Sequence, residues 1–64
     1  MKNFHALFIF VQYGEIHSTT RYIQCSSWET ALEIATNMLS DIMKTMKDDG
    51  VTAVQLQSLT ITNP

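Results

Sequence analysis

The sequence predicts an α+β domain of ββαβ order, a three-stranded antiparallel sheet in strand order 2-1-3 with one amphipathic helix packed on one face. Three observations carry this prediction. Residues 4–13, Phe-His-Ala-Leu-Phe-Ile-Phe-Val-Gln-Tyr, are mostly apolar at both alternating sets of positions, as expected of a central strand covered on both faces. Gly14 interrupts that run at a place suited to a tight hairpin, and a second run rich in threonine, tyrosine and isoleucine follows. From Trp28 onward the apolar residues recur at i, i+3, i+4 and i+7, the spacing of one face of a helix.

The first strand is read as Phe4 to Tyr13. Glycine takes positive φ without steric cost, so Gly14-Glu15 fits the central pair of a type II′ turn. That turn fixes a register. One face pairs Tyr13 with Ile16, Val11 with Ser18, Ile9 with Thr20, Leu7 with Tyr22 and His5 with Gln24. The other pairs Gln12 with His17, Phe10 with Thr19, Phe8 with Arg21, Ala6 with Ile23 and Phe4 with Cys25.

The second strand, Ile16 to Cys25, has the composition of a half-exposed edge. After it, Ser26 and Glu29 stand at the spacing of a capping box, which places Ser26 at the helix N-cap. The inner stripe of the helix is Trp28, Ala31, Leu32, Ala35, Met38, Leu39, Ile42 and Met46, flanked by Ile34 and Met43. Glu29, Glu33, Thr36, Asn37, Ser40, Asp41, Lys44 and Lys47 mark the outer face. Gly50 is the expected left-handed cap, and Asp48 and Asp49 weaken that helix end because they oppose the helix dipole.

The last segment, Val51 to Thr62, is a third strand whose alternation slips. Val54 and Leu56 share one parity and Leu59 and Ile61 the other, so a bulge or break is expected near Gln57-Ser58. The helix returns the chain so that this strand runs parallel to the second. Placed beside the first strand through a right-handed crossover, it completes the order 2-1-3.

Sixty-four residues make one small domain, spanning 1–64, that buries only about 60% of the surface its unfolded chain exposes. Such domains gain stability from disulfides, metals or association. The lone Cys25 cannot form an internal disulfide, and no Cys/His cluster has ligand spacing, so neither metal nor cofactor is expected. Self-association remains, and the 45% hydrophobic content beside only 16% charged residues points the same way. A homodimer or higher oligomer is expected. The formal net charge of −2 and the lack of a basic run disfavour nucleic-acid binding through phosphate contacts. No stretch approaches the ~20 apolar residues of a membrane span, so no membrane association is expected. Met1-Lys2-Asn3 followed by apolar residues is faintly like a secretory leader but has no small-residue cleavage site, and a single thiol suits a reducing compartment; a cytoplasmic protein is expected.

One helix covers one face of a sheet, which leaves the other face open. The favoured arrangement puts Leu7, Ile9, Val11, Ile16 and Tyr22 beneath the helix, because branched aliphatics tolerate close helix packing. The open face, and hence the expected protein interface, is then Phe4, Phe8, Phe10, His17, Thr19, Arg21 and Ile23, a mixture of aromatics and arginine like that of binding hot spots. The alternative reverses the faces, with the phenylalanines as core.

Other chemistry-bearing residues form no recognisable motif. His5 and His17 fall on opposite faces, which argues against a shared metal. Cys25 has no histidine on its local segment to act as base and reads as a structural thiol. Met38, Met43 and Met46 read as core or subunit interface. Asp41, Asp48 and Asp49 lack the spacing of a calcium loop, and neither Gly14 nor Gly50 belongs to a phosphate-binding loop. The chain therefore reads as a non-catalytic interaction protein that occludes or regulates a partner protein. Small acidic inhibitors of phages and mobile elements offer an analogy of size and layout. Two alternatives are single-stranded nucleic-acid binding on a platform of Phe8, Phe10 and Arg21, and a small-ligand site at an oligomer interface using Tyr13, His17, Arg21 or Tyr22.

Overall fold

The computed structural model describes residues 1–62 and shows an α+β fold of ββαβ order. Strand β1 spans Lys2–Gln12, β2 spans Glu15–Cys25, helix α1 spans Trp28–Met46, a 3₁₀ turn covers Lys47–Asp49, and β3 spans Val51–Thr62. The sheet order is β2-β1-β3, with both neighbouring pairs antiparallel, and α1 packs against one face. The run around Phe4 to Val11 is thus the central strand, as its apolar character at both parities requires.

The hairpin turn lies one residue earlier than expected. Tyr13 (φ 51°) and Gly14 (φ 79°) are both left-handed and occupy the central pair, while Gln12 pairs with Glu15. Two positive φ values define the type I′ geometry, whose twist suits a hairpin. A non-glycine residue tolerates this because Tyr13 is held from outside the turn. Its N–H donates to the Gly50 carbonyl at 3.1 Å, and the neighbouring Gln12 Nε2 donates to the Asp49 carbonyl at 2.8 Å. The register shifts by two residues as a result: Phe4 faces Ile23, Phe8 faces Thr19 and Phe10 faces His17. Because the pleat repeats every two residues, the shift changes the partners but leaves each side chain on its expected face.

Helix α1 starts one residue later than the capping-box reading. Ser27 is the N-cap; its Oγ accepts from the Thr30 N–H at 3.2 Å and lies 3.0 Å from Thr30 Oγ1. At the other end the α-helix gives way to the 3₁₀ turn, which holds both Asp48 and Asp49, and Gly50 closes it at φ 85° with its N–H donating to the Lys47 carbonyl. Left-handed glycine is the expected terminator.

Strand β3 resolves its own phase change with a bulge. Ser58 pairs with Leu7 and Leu56 pairs with Phe8, so Gln57 is the extra residue. A second irregularity leaves Thr52 between the pairs Val11/Ala53 and Gln12/Val51. Val54, Leu56, Leu59 and Ile61 therefore all pair with even-numbered residues of β1 and share one face, despite their change of parity.

That face is the one beneath the helix. Phe4, Ala6, Phe8, Ile23, Cys25, Ala31, Ala35 and Ile42 form the buried cluster, with Phe4 1% and Phe8 0% exposed. Ile34, Met38, Leu39, Met46, Val54, Leu56 and Leu59 pack around it. The favoured assignment of faces is corrected here: the phenylalanines are core, and Leu7, Ile9, Val11, Ile16 and Tyr22 lie on the open side. The reason is volume. The helix meets the sheet with Ala31 and Ala35, both fully buried, and small side chains on one layer need large ones opposite to reach native packing density. Phenylalanine supplies that volume, and its rings fill the space the alanines leave. Trp28 and Met43, read as stripe and flank, are instead 46% and 36% exposed.

Candidate functional site: the open sheet face

The second face of the sheet follows from the pairing. Five rows cross the three strands, from β2 through β1 to β3: Ile16, Val11 and Ala53; Ser18, Ile9 and Gln55; Thr20, Leu7 and Ser58; Tyr22, His5 and Thr60; Gln24, Asn3 and Thr62. Down the centre run Val11, Ile9 and Leu7, each half-buried by its neighbours in the isolated protomer. Ile16 and Tyr22 stand toward opposite ends of the β2 side, 76% and 73% exposed. The Tyr22 ring meets His5 edge-on with centroids 4.4 Å apart, which orders that end of the face.

Charge divides the molecule sharply. Of the ten Lys, Arg, Asp and Glu residues, only Lys2, Glu15 and Arg21 lie on strands, and all three occupy helix-side positions in the pairing. The other seven belong to α1 or to the 3₁₀ turn. Among the described residues, no formal charge stands on the open face. It is an apolar stripe bordered by serine, threonine and glutamine, with His5 as its imidazole.

The residues expected to make an interface are placed differently. Phe4, Phe8 and Ile23 are buried in the cluster beneath α1 and Phe10 is buried as well, so none is available to a partner. Thr19 is half-buried, whereas His17 and Arg21 are exposed along the helix-side border of β2. His17 stacks on Phe10 with centroids 5.6 Å apart and lies 3.5 Å from Glu15 Oε2. The Arg21 guanidinium is taken up locally: Nη1 donates to Thr19 Oγ1 at 2.7 Å and to the Thr20 carbonyl at 3.3 Å. It borders a shallow cleft between β2 and α1 shared with Met38, Asp41, Ile42, Thr45 and Met46.

No other constellation of chemical groups forms. His5 and His17 lie on opposite faces of the sheet, and among the described residues no three His, Cys, Asp or Glu side chains gather as a metal site. Cys25 is buried, its Sγ donating to the Ser27 carbonyl at 3.2 Å, in the position of a structural thiol at the strand-to-helix corner. Tyr13 lies over Gly50 at the hairpin end, far along the strands from Tyr22, so the four polar residues of the small-ligand alternative are dispersed. The stacking platform of the nucleic-acid alternative loses Phe8 and Phe10 to the core. No helix among the described residues is long and apolar enough to cross a membrane.

Sequence reasoning missed the Tyr13–Gly50 junction. A Cβ at Gly50 would collide with the Tyr13 ring, so the absence of a side chain there lets the hairpin end close over the start of β3. A glycine after a helix signals only a cap, and nothing local ties it to a tyrosine 37 positions earlier.

No family model, curated protein or solved structure matches this chain.

Proposed function

We propose that this chain is a small non-catalytic protein–protein interaction module that acts by covering, and so occluding or regulating, a partner protein. The observation that carries the reading is the open sheet face, a continuous uncharged surface centred on Leu7, Ile9 and Val11. A contiguous apolar patch rimmed by polar residues is a common mark of an interaction site. The polar border of Ser18, Thr20, Gln55, Ser58 and Thr60 matches the general anatomy of an apolar centre with a polar rim. A buried, unpaired Cys25 is compatible with work in the cytoplasm.

Site-directed photocrosslinking tests the reading. A photoreactive residue replacing Ile16 on the open face is expected to give protein adducts on irradiation in cells, and one replacing Glu33 on the exposed helix surface far fewer. Absence of protein adducts from Ile16, together with a metabolite that raises the melting temperature of the purified chain, would favour the small-ligand alternative instead.

A further inference from the structure

We infer that the open face is occupied by a second copy of this chain, the two sheets packing face to face with the helices outermost. This rests on the interaction-module reading and names the occupant. Three features support it. The first is charge. Each copy carries a formal net charge of −2, so two copies repel through most of their surface. The open face is the side on which no charged residue stands, and pairing through it keeps all ten charges of each copy on the far side of its own sheet. At physiological salt, charges separated beyond about 8 Å are largely screened, so little repulsion survives across two intervening sheets.

The second is area. The molecule measures 37 × 17 × 13 Å, so the broad face presents a footprint of at most about 600 Å² per copy. Two copies then bury at most about 1,200 Å², so only full overlap of the two faces reaches the lower limit of a specific, stable interface. A partner covering less of the face would fall below that limit.

The third is self-complementarity. A two-fold interface joins the same patch on both copies, so it must fit itself. A neutral stripe of Leu7, Ile9 and Val11 flanked by short hydroxyl side chains does so, because it offers no charge that needs an opposite one across the interface. Two such twisted sheets pack with strands inclined by about 30° and interdigitating side chains. The paired molecule has helix, sheet, sheet and helix as layers.

Ile9, central in the stripe, provides the test. The molar mass of the wild-type chain and of Ile9→Glu and Ile9→Lys is measured by light scattering through the micromolar range, with far-UV circular dichroism to establish folding. The wild type is expected at twice the 7.3 kDa of one chain. Each variant alone is expected at the monomer mass, and an equimolar mixture of the two at the dimer mass again, because opposite charges then meet across the two-fold axis. If the Ile9 variants do not fold, the exposed Thr20 on the same face gives the same comparison through Thr20→Glu and Thr20→Lys. A monomeric wild type overturns the inference, and so does a dimer that survives folded Ile9→Glu and Ile9→Lys. In either case an adduct of the Ile16 photoprobe with a different protein would still uphold the interaction-module reading, whereas no protein adduct would remove both.

Discussion

Truncating Phe8 separates the two faces of the central strand most sharply. Phe8 is fully buried, between Thr19 and Leu56 in its sheet row and beneath the helix that contributes Ala31 and Ala35 to the same cluster. Phe→Ala at such a site costs about 3–5 kcal/mol through lost transfer energy and an unfilled cavity. The alanines opposite cannot reach across to fill it. A chain of 64 residues has a total stability of about 3–10 kcal/mol at the usual yield per residue, so Phe8→Ala removes a third of it or more. Leu7→Ala, one residue away but on the open face, removes a side chain that is only half-buried in the protomer. Its cost in dilute solution is expected at about 1–2 kcal/mol, near half that of a buried leucine, and to grow with protein concentration as association makes the same contact count. Urea unfolding followed by circular dichroism at two protein concentrations reads both quantities. Equal costs for the two variants, or a concentration dependence in Phe8→Ala that Leu7→Ala lacks, would refute the assignment of faces.

Two further expectations concern the junctions. Gly50→Ala meets a left-handed φ of 85° and a Tyr13 ring in the space of the new Cβ, and a loss of about 1–2 kcal/mol from backbone strain alone is expected in the same unfolding assay, with part of any excess recovered when Tyr13→Ala is added. Ser27→Ala removes the hydroxyl that caps α1 and is expected to cost about 1 kcal/mol, whereas Ser26→Ala, whose side chain holds no helix N–H, is expected to leave the urea midpoint nearly unchanged.

Much of the architecture was legible in the sequence, for reasons that can be traced to particular residues. The double-parity run from Phe4 to Val11 required the centre of the sheet, the stripe from Ala31 to Met46 required a helix, and the parity change between Leu56 and Leu59 required the bulge found at Gln57. These are local patterns with one physical reading each. The turn was displaced by one residue because Tyr13 adopts a left-handed conformation that its own chemistry does not favour; bonds from residues 12 and 13 to the distant Asp49 and Gly50 carbonyls decide it. The site was misread for a different reason. Both faces of β1 are apolar, so hydrophobicity could not choose between them, and the weight placed on aliphatic packing ignored the helix's side of the contact. Ala31 and Ala35 were visible in the stripe, and their small volume called for phenylalanine opposite. The distribution of charge was a second signal, since Arg21 and Glu15 share the parity of the phenylalanine side while no charged residue shares that of Leu7, Ile9 and Val11.

The claim that one face of the sheet builds the domain and the other builds an association is tested most directly by carbene footprinting of the wild-type chain, dilute and concentrated, with residue-level mass spectrometry. Phe4 and Phe8 are expected to stay protected in both samples, because the helix of their own protomer covers them. Leu7, Ile9, Val11 and Tyr22 are expected to be labelled when dilute and protected when concentrated. Labelling of Phe8 above Ile9, or labelling of Ile9 that does not change with concentration, would contradict the account.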